Sequence, residues 1–508
     1  MSNLYRADTI ADLMEAGFDA APAIAAPGQV PLTYAKLRDL ARTTVADLNA
    51  MGIGRNDRVA IVLPNGPEMA AAFMAIGCGA TTAPLNPAYR AEEFEFYLAD
   101  LSAKALVIQE GMDSPALEVA AARGIPVVRL RPGGAAGSFS LHGPAAGMSS
   151  AGGRAEPGDV ALILHTSGTT SRPKIVPLTQ VNVTASAYHI GNTLALHEDD
   201  VCLNIMPLFH IHGLIAATLS SVAAGASVVC TPGFNALKFF SWMEAARPTW
   251  YTAVPTMHQA ILARADRNME VIKSGRLRLI RSSSASLPPQ VMESLESVFA
   301  VPVIEAYGMT EASHQMASNP LPPRPRHPGS VGVAAGPDIG IMDDQGGLLP
   351  PGKLGEVVIR GRNVTRGYEA NPDANAKAFS GGWFRTGDQG TIDADGYLRL
   401  TGRLKELINR GGEKISPLEV DTVIMDHPSV AQVVTFGVPH DMLGEDIAAA
   451  VVLREGFFCD ERELRAFAGS RLADFKVPRK ILFLTEIPKG ATGKLQRVGL
   501  AGKLGLAK

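Results

Sequence analysis

Apolar positions in the first half of the chain alternate between short continuous runs and amphipathic stretches. The run Arg58–Leu63 predicts a buried strand, and a helix is predicted from about Pro67 to Ile76. The same order of patterns predicts a helix over Glu92–Leu101 and a strand over Ala105–Ile108. This β–α–β rhythm is typical of a parallel sheet with helices packed on it. A second βα series is predicted over roughly 200–310.

The rest of the chain departs from this rhythm. Residues 132–158 are rich in Gly, Ala, Ser and Pro and predict a surface connection, and the proline-rich stretch 320–328 excludes regular structure. From 355 to 403, short β-like runs alternate with Gly-rich turns. We therefore predict an α/β fold. It comprises a large N-terminal domain (1–404) of stacked βα sheets plus a β-barrel-like part, and a small mobile α+β C-terminal domain (405–508).

Composition excludes several classes of protein. The 508 residues are 46% hydrophobic, which suffices for roughly two to four domains. A formal net charge of −3 argues against nucleic acid or an acidic membrane as partner, and no apolar run is long enough to span a bilayer. The N-terminal segment lacks a secretory pattern, and the four cysteines are widely spaced without a CxxC pair. We expect a cytoplasmic protein that binds small molecules, as a monomer or a homodimer.

A loop of small and hydroxylated residues follows the predicted strand Val160–His165. Its sequence is Thr166-Ser-Gly-Thr-Thr-Ser-Arg-Pro-Lys174. Small residues let backbone N–H groups approach an anion closely, and the hydroxyls and the lysine add further donors. The spacing from glycine to lysine is not that of a Walker loop. On composition alone, the alternative is an ordinary solvated surface loop.

This nonapeptide closely resembles the pyrophosphate-handling loop of the adenylate-forming superfamily, which includes acyl-CoA synthetases, luciferases and peptide-synthetase adenylation domains. The chain departs from many members at Ile175, where they have glycine, so its loop is slightly less flexible. The resemblance implies that the phosphates of ATP are bound by Thr166, Ser167, Gly168, Thr169, Thr170 and Lys174.

A second motif of the superfamily is Tyr307-Gly-Met-Thr-Glu311. By resemblance, Tyr307 and Gly308 belong to the ATP site, with Tyr307 against the adenine. Thr310 binds phosphate as a catalytic residue, and Glu311 holds Mg²⁺. One carboxylate beside a hydroxyl suits a magnesium ion that keeps several waters and bridges ATP phosphates. Considered alone, the Thr-Glu pair is equally compatible with a helix start.

A third motif, Trp383-Phe-Arg-Thr-Gly-Asp388, resembles the ribose motif of the superfamily. It implies that Asp388 accepts hydrogen bonds from both ribose hydroxyls, a task that suits an ionised carboxylate. Arg403 resembles the arginine that joins this contact, and Lys405 occupies the hinge position between the domains. Considered alone, the string around these two residues is more typical of a solvated surface.

Two loops of the C-terminal region complete the set. Asn409–Pro417 contains Gly411 and Gly412, which in the superfamily line the pantetheine tunnel for coenzyme A. As local structure, the same loop predicts a β-turn before a helix. Pro488-Lys-Gly-Ala-Thr-Gly-Lys494 resembles the catalytic-lysine motif, which implies that Lys494 reaches the α-phosphate and the attacking carboxylate. Without the other motifs, a single C-terminal lysine would be interpreted as a surface group.

The motif set implies a two-step reaction that uses ATP, Mg²⁺ and coenzyme A. A carboxylate attacks ATP to give an acyl-adenylate and pyrophosphate, and a thiol then displaces AMP. Because the sequence ends soon after the lysine loop without a carrier domain, free coenzyme A is the expected acceptor. An adenylate-binding protein without ligase activity is the alternative from another class, and Lys494, Glu311 and Asp388 argue against it.

Polar side chains indicate a short acid with a second charge. Arg278–Ser286 carries polar residues where aryl-activating relatives have a small Gly/Ala floor. Pro207–Gly213 adds His210 and His212 as further donors for a short dianion. By resemblance, His210 stands where the superfamily keeps a gating aromatic or histidine, and it is also a candidate catalytic residue. His314 follows Glu311 by three residues, which is one turn if the segment is helical. Donors of this kind offset the cost of burying a second carboxylate, which is otherwise several kcal/mol.

The strings around Ser284 and His314 and the string Trp250–Thr256 look most like those of oxalate–CoA ligases, where Ser284 and His314 contact oxalate. We therefore predict an ATP-dependent ligase for oxalate or a similar short acid. A ligase for an aromatic acid such as 4-coumarate is the alternative, and the serines alternatively bond only the adenine or the backbone. Arg281 has two interpretations: it contacts the substrate, or it pairs with an acid behind the sheet.

Overall fold

The strands of the chain form four sheets in a computed structural model that describes residues 7–166, 173–490 and 494–507. Two large sheets lie in the first two thirds of the chain, and two smaller ones follow. The predicted α/β fold, with large N-terminal sheets and a small C-terminal unit, is confirmed. The domain boundary after residue 404 stays a prediction.

The first part of the chain forms a seven-stranded sheet and contributes its first two strands to the second sheet. Its elements are α1 (Ile10–Leu13), β1 (Pro22–Ala25), β2 (Leu32–Thr33), α2 (Tyr34–Ala50), β3 (Arg58–Val62), α3 (Pro67–Gly77), β4 (Thr81–Pro84), α4 (Ala91–Asp100), β5 (Ala105–Gln109), α5 (Pro115–Ala122), β6 (Val127–Pro132), β7 (Phe139–His142), β8 (Val160–Thr166), β9 (Lys174–Thr179) and α6 (Gln180–Thr193). The strand order is β7-β6-β5-β3-β4-β8-β9, and the five inner strands are parallel.

Strand β7 lies within 132–158, so the prediction that this stretch is only a surface connection is wrong there. The inward residues Phe139 and Leu141 of β7 are buried and alternate with exposed ones.

The second part completes a nine-stranded sheet. Its elements are β10 (Val201–Asn204), a π-helix (His212–Leu219), α7 (Ser220–Ala223), β11 (Ser227–Cys230), α8 (Phe239–Ala246), β12 (Trp250–Ala253), α9 (Pro255–Leu262), α10 (Met269–Ser274), β13 (Leu279–Ser283), α11 (Pro289–Phe299), β14 (Val303–Met309), β15 (His314–Ser318) and β16 (Val333–Ala334). The order is β16-β15-β14-β13-β12-β10-β11-β1-β2, with parallel pairing from β14 to β1.

Two antiparallel units follow. The third sheet contains β17 (Asp338–Met342), β18 (Gly355–Arg360), β19 (Phe379–Ser380), β20 (Trp383–Ile392) and β21 (Leu398–Arg403), with α12 (Pro372–Ala378) beside it. The fourth contains β22 (Ile408–Arg410), β23 (Glu413–Ile415), β24 (Val430–His440), β25 (Gly444–Leu453) and β26 (Lys480–Phe483), with α13 (Pro417–Met425), α14 (Glu461–Gly469) and α15 (Leu500–Lys503). This last sheet has its own apolar core.

Helix α3 is the main internal element between the two large sheets. It contacts β4 of the first sheet and β1 and β11 of the second. Residues 69–76 are at most 3% exposed, which explains why this helix is apolar on every side. Throughout the described residues, every helix is too short or too polar to cross a lipid bilayer.

The four cysteines are unpaired, as predicted: Cys78, Cys202 and Cys230 are buried in the large domain, and Cys459 is partly exposed.

The parallel strands of the second sheet bring several polar residues to one edge. Thr252 lies near the carboxyl end of β12, Ser284 directly follows β13, and Tyr307 lies near the end of β14. Because β12, β13 and β14 are parallel neighbours, these ends meet, and such an edge is the usual place for a ligand in an open α/β sheet.

Candidate active site

Three residues predicted to bind the nucleoside of ATP are in direct contact. The Tyr307 hydroxyl donates to Oδ2 of Asp388, and Nε of Arg403 donates to Oδ1 of Asp388 at 2.9 Å. Asp388 and Arg403 are register partners on β20 and β21, and Tyr307 comes from β14 of another sheet. The Asp388 carboxylate holds the pKa of Arg403 above its usual value. The Arg403 side chain is 49% exposed, so part of its guanidinium is open to a ligand.

A bulge in β20 aims Asp388 toward Tyr307. Glu356 of β18 pairs with Gln389 and Val358 pairs with Arg385, so β20 carries extra residues between these pairs. Gly387 lies in this bulge at φ 75°, a conformation that favours glycine, and its N–H donates to Oε1 of Glu356 at 2.9 Å. Bulges re-aim side chains in this way next to active sites.

The predicted phosphate loop is described only at its two ends. Thr166 ends β8 and pairs with Lys174, the first residue of β9. The predicted phosphate contacts of Ser167, Gly168, Thr169 and Thr170 concern residues outside the described ones, so they stay predictions.

Lys174 lies in a cluster with Tyr368 and Glu311. Its Nζ stands 4.2 Å from the centre of the Tyr368 ring, whose hydroxyl donates to Oε1 of Glu311 at 2.7 Å. Burial raises the pKa of Glu311, and the Tyr368 hydrogen bond opposes this. Burial and the nearby charge of Lys405 lower the pKa of Lys174. The lysine of the predicted phosphate loop, the predicted metal ligand and the predicted hinge residue are thus neighbours.

The segment around Glu311 is not the helix that the spacing to His314 requires. Thr310–Ala312 forms one 3-10 turn, and His314 begins strand β15 opposite Met309. The argument that Glu311 and His314 share a helix face is therefore wrong. The sharp turn is reached through left-handed backbone at Ser313 (φ 49°) and His314 (φ 102°).

Gly308 allows β15 to return closely against β14. A Cβ atom at this position would lie 1.7 Å from the carbonyl oxygen of His314. Any side chain here displaces the backbone of β15, and His314 with it. Position 308 therefore requires glycine for a steric reason, which is independent of the predicted place of Gly308 in the ATP site.

The predicted acid pocket is organised by His212, which the sequence offered beside His210 as a donor for a short dianion. Nδ1 of His212 lies 3.0 Å from Oγ of Ser284, and Nε2 lies 2.6 Å from Oγ1 of Thr252. The His212 ring packs edge-on against His314 with centroids 5.0 Å apart, and its backbone N–H donates to Nδ1 of His210 at 3.3 Å. The structure therefore brings His210, Ser284 and His314 together around His212.

His212 is the first residue of the π-helix, and Gly213 allows this helix to approach the backbone of Pro207 closely. A Cβ atom at Gly213 would lie 2.4 Å from the carbonyl oxygen of Pro207. π-helical turns are rare and occur frequently at functional sites. The sequence signal was the pair of histidines before this glycine in Phe209-His-Ile-His-Gly213.

The three histidines are neutral near pH 7. Burial lowers the pKa of His210 to about 3, and the charge of Lys494 adds to this effect. Burial lowers the pKa values of His212 and His314 well below their usual range, with further contributions from Arg281 and Lys494. Each neutral imidazole offers one donor and one acceptor. Nδ1 of His314 is buried and has no hydrogen-bond partner among the described residues.

Lys494 lies between the nucleoside residues and the acid pocket. Burial lowers its pKa to about 8; the charge of Arg403 lowers it further and that of Asp388 opposes this. Its own charge lowers the pKa values of the histidines on the other side. Its carbonyl accepts a 2.8 Å hydrogen bond from the N–H of Gly490.

Gly411 and Gly412 are not part of this cluster. They form the exposed turn between β22 and β23, with φ values of 60° and 95°. The N–H of Gly411 donates to the carbonyl of Leu443 at 2.8 Å, within the C-terminal sheet. Lys405 is exposed on the 3-10 turn Leu404–Glu406 that joins β21 to β22.

Arg281 does not pair with an acid behind the sheet, so that interpretation is wrong. Its side chain is 0% exposed and donates to Oγ1 of Thr252 at 3.4 Å and to Oε1 of Gln315 at 3.3 Å. Arg281 takes part in none of the ion pairs of the described residues, so none of their carboxylates lies within 4.0 Å of its guanidinium. Its Nε has no partner among these residues.

Sequence reasoning missed Tyr368, Thr252 and Gln315. Tyr368 lies in a segment without a phosphate, metal or nucleophile pattern, and Gln315 follows His314 without a role indicated by its string. Each of the three gains its importance from a contact with a distant part of the chain. Thr252 was part of the string Trp250–Thr256 whose resemblance to oxalate–CoA ligases was noted, but nothing in that string indicated its contact with a histidine.

The comparisons with known proteins agree with this arrangement. The family described as AMP-binding enzyme matches residues 15–369, and its C-terminal domain matches residues 419–494. The oxalate–CoA ligase of Arabidopsis thaliana is 47% identical over 501 residues, 96% of this chain and 97% of that protein. The oxalate–CoA ligase of Saccharomyces cerevisiae is 44% identical over 470 residues, 87% of this chain and 86% of that protein.

Among solved structures, ATP-bound MatB from Rhodopseudomonas palustris superposes with a TM-score of 0.86 at 30% identity, covering 96% of this chain and 97% of that one. The apo form of MatB superposes with a TM-score of 0.77 at the same coverage of both chains. The arrangement described here is thus more similar to the ATP-bound form.

The chain belongs to the AMP-binding enzyme family. Within this family it is an acid–CoA ligase, and the predicted resemblance to oxalate–CoA ligases is confirmed. CoA ligases of this family use ATP and coenzyme A.

Proposed function

We propose that this enzyme is an oxalate–CoA ligase that uses ATP, Mg²⁺ and coenzyme A to form oxalyl-adenylate and then oxalyl-CoA. The observation that carries the choice of acid is the polar pocket in which His212 bridges Thr252 and Ser284 beside His314. The similarity to two oxalate–CoA ligases over most of the chain supports the same acid.

The pocket suits a short diacid better than an aromatic one. Ser284, held by His212, and His314 supply hydrogen bonds that a second carboxylate accepts, whereas a phenyl ring would leave the Ser284 hydroxyl hydrogen and Nδ1 of His314 without partners. Each lost hydrogen bond of this kind costs about 1–3 kcal/mol. The polar lining therefore argues against the 4-coumarate-like alternative.

On the nucleotide side, Asp388 accepts the ribose hydroxyls, Arg403 supports it and Tyr307 packs against the adenine. The loop from Thr166 to Lys174 surrounds the phosphates. In support of these roles, the first three residues contact one another and the exposed part of Arg403 is open to a ligand.

Glu311 and the adjacent Thr310 hydroxyl fit a magnesium ion. The Glu311 carboxylate uses Oε1 for Tyr368, and one carboxylate with a hydroxyl, waters and phosphate oxygens is the donor set that Mg²⁺ prefers. When bound, Mg²⁺ neutralises phosphate charge. Tyr368 holds the carboxylate in place, and Thr310 and Lys174 bind phosphate oxygens.

In the first half-reaction, Lys494 stabilises the negative charge that develops as the carboxylate attacks the α-phosphate. With a pKa of about 8 it is protonated at neutral pH, and its position between Arg403 and the histidines supports this role. His210, neutral and next to His212, closes the acid pocket toward this lysine and is the gate through which the thiol later enters.

In the second half-reaction, the C-terminal unit rotates about Lys405. Lys494 leaves the site, and the turn of Gly411 and Gly412 lines the path of the pantetheine arm. The position of this turn away from the site, with Lys494 in place, supports an arrangement poised for adenylation.

A panel of acids tests the proposed substrate. The purified enzyme is incubated with ATP, Mg²⁺, coenzyme A and oxalate, malonate, succinate, acetate or 4-coumarate, and AMP formation is measured. We expect oxalate to have the highest kcat/KM. A higher value for 4-coumarate or for any other acid of the panel overturns the choice of oxalate.

A further inference from the structure

Arg281 is a buried positive charge without a counter-charge in the described part of the chain. It lies on β13 with no exposed surface, and its two hydrogen bonds, to Thr252 and Gln315, are long. Burial lowers its pKa to about 9, so the guanidinium remains charged at neutral pH. Such a charge is strongly unfavourable in a protein interior unless something compensates it.

The carboxylate on the neighbouring strand β14 lies on the opposite face of the sheet. Arg281 is the register partner of Ile304 on β14, and Glu305 is the next residue, so its side chain points to the other side of the sheet. Oε1 of Glu305 accepts from the N–H of Leu287 at 2.9 Å, and burial raises the pKa of this carboxyl to about 8. Glu305 is therefore not the counter-charge of Arg281.

On its own face, Arg281 begins a chain of hydrogen bonds that ends in the acid pocket. Its Nη1 donates to Oγ1 of Thr252, which contacts Nε2 of His212, whose Nδ1 contacts Oγ of Ser284. Gln315 is fixed on the other side, because its amide nitrogen donates to Thr193 and to the carbonyl of Ala335 and so turns its oxygen toward Arg281.

The donor at the start of this chain determines the direction of every later bond. Thr252 receives a hydrogen bond from Arg281. If His212 also donated to it, the threonine hydrogen would be buried without an acceptor. The satisfied arrangement has the Thr252 hydroxyl donating to Nε2 of His212. Nδ1–H of His212 then donates to Oγ of Ser284, and the hydrogen of the Ser284 hydroxyl is free to point into the pocket.

We propose that Arg281 is a positioning residue that selects acids with a second negative group. Its charge is compensated by that group, and through Thr252 and His212 it makes the Ser284 hydroxyl a donor to the substrate. This inference rests on the proposed function. The inference adds to the proposed function the residue that distinguishes a dicarboxylate from a monocarboxylate of similar size.

The test compares oxalate with glyoxylate, which has a similar size but one carboxylate, in ATP–pyrophosphate exchange. Arg281→Met removes the charge and keeps most of the volume. We expect kcat/KM for oxalate to fall about 10²-fold, the loss typical of one preorganised donor, chiefly through KM. The value for glyoxylate is expected to change less than about 3-fold, because glyoxylate lacks the group that Arg281 compensates. Equal losses for both acids overturn the proposal.

A second pair of variants keeps the proposal testable if Arg281→Met does not fold. Thr252→Ser retains the hydroxyl and Thr252→Val removes it at nearly constant shape. Thr252→Val is expected to lose oxalate selectivity while Thr252→Ser keeps it. The double variant of Arg281→Met and Thr252→Val is expected to be no worse than the poorer single variant, because the two residues act in one chain. Additive losses contradict the chain.

The preferred acid of the unmodified enzyme distinguishes a failure of the proposed function from a failure of the role of Arg281. If its best acid is another dicarboxylate, oxalate is wrong, and Arg281→Met is then judged on that diacid and its monoacid analogue. If the best acid carries a single negative group, both the choice of oxalate and the role of Arg281 are overturned.

Discussion

At the scale of single residues, the site works with groups whose charges are set by burial. His210, His212 and His314 stay neutral where exposed histidines would titrate, and Lys494 has a pKa of about 8. Neutral imidazoles hydrogen-bond an acid without adding charge to it. The positive charge of the site is therefore confined to lysine and arginine side chains.

The pKa of Lys494 predicts the alkaline limb of adenylation. Its pKa is lowered, so the required ammonium is present below about pH 8 and is lost as the pH rises through that value. We expect kcat/KM for ATP in oxalate-dependent pyrophosphate release to fall above about pH 8 in the free enzyme. The adenylation half-reaction is measured without coenzyme A, so that the titration of the coenzyme A thiol does not contribute to the pH profile.

Lys494→Arg is the matched variant for this profile. An arginine stays protonated throughout the range, so the alkaline limb is expected to disappear or to move above pH 9, at a lower rate. Below about pH 8, Lys494→Ala is expected to lose about 10²–10³-fold in rate while ATP binding remains. An unchanged limb in Lys494→Arg contradicts the assignment.

At the scale of elements, the site depends on irregular structure. The π-helix begins at His212, a 3-10 turn carries Thr310 and Glu311, and a bulge at Gly387 aims Asp388. Regular strands bring these segments together, and the irregular ones set the direction of the side chains. Strain is accepted where the backbone must turn sharply, as at His314.

The turn of Gly411 and Gly412 leads to a prediction at this scale. Gly412→Leu is expected to leave pyrophosphate release near the unmodified rate and to reduce thioester formation at least about 10-fold, because a side chain would narrow the pantetheine path. The two half-reactions are measured separately, with oxalate and ATP alone and then with coenzyme A.

Gly456→Leu is the control for backbone strain. Gly456 also lies in the C-terminal unit, has φ 80° against 95° at Gly412, and has open space around its Cβ position as Gly412 has. A thioester defect in both variants would mean that left-handed strain in this unit is the cause, and the tunnel role of Gly412 would be rejected.

The sequence predicted the motifs well and their mutual contacts poorly. Asp388 and Arg403 were chosen one by one from their strings, and their pairing follows from the register of β20 and β21. Boundaries of long periodic elements were close, as for the helix from Pro67. The environment of Arg281 could not be predicted, because whether a buried charge finds a partner depends on which face of a strand each neighbour occupies.

At the scale of the whole molecule, the C-terminal unit closes over the site through a few polar contacts. Nε2 of Gln259 donates to the carbonyl of Ala431 at 3.1 Å, and Gln290 contacts Asp426. Among the described residues, Oγ of Ser416 also donates to the carbonyl of Thr401. Hydrogen bonds of this kind contribute about 0.5–1.5 kcal/mol each, or about 1.5–3 kcal/mol where the acceptor is charged, as at Asp426. The rotation proposed for this unit requires an interface that can be released in every catalytic cycle.

Crosslinking these surfaces tests the rotation. Gln290→Cys and Asp426→Cys are combined and joined with a short bismaleimide. We expect the joined enzyme to release pyrophosphate at nearly the normal rate and to lose thioester formation, because the unit no longer rotates. Each single variant treated with the reagent serves as control. Thioester formation at the normal rate in the joined enzyme would contradict a rotation about Lys405.

The position of Arg403 has a consequence for the fate of the intermediate. Arg403 is the last residue of β21 and is fixed to Asp388 by strand pairing, while the predicted hinge residue Lys405 follows two positions later. In the proposed rotation the pivot begins just beyond the predicted nucleotide contacts, so we expect the rotation to leave these contacts unchanged. The reactive mixed anhydride is then expected to stay still while the protein surface around it is exchanged, and its protection from hydrolysis would come from never being released between the two chemical events.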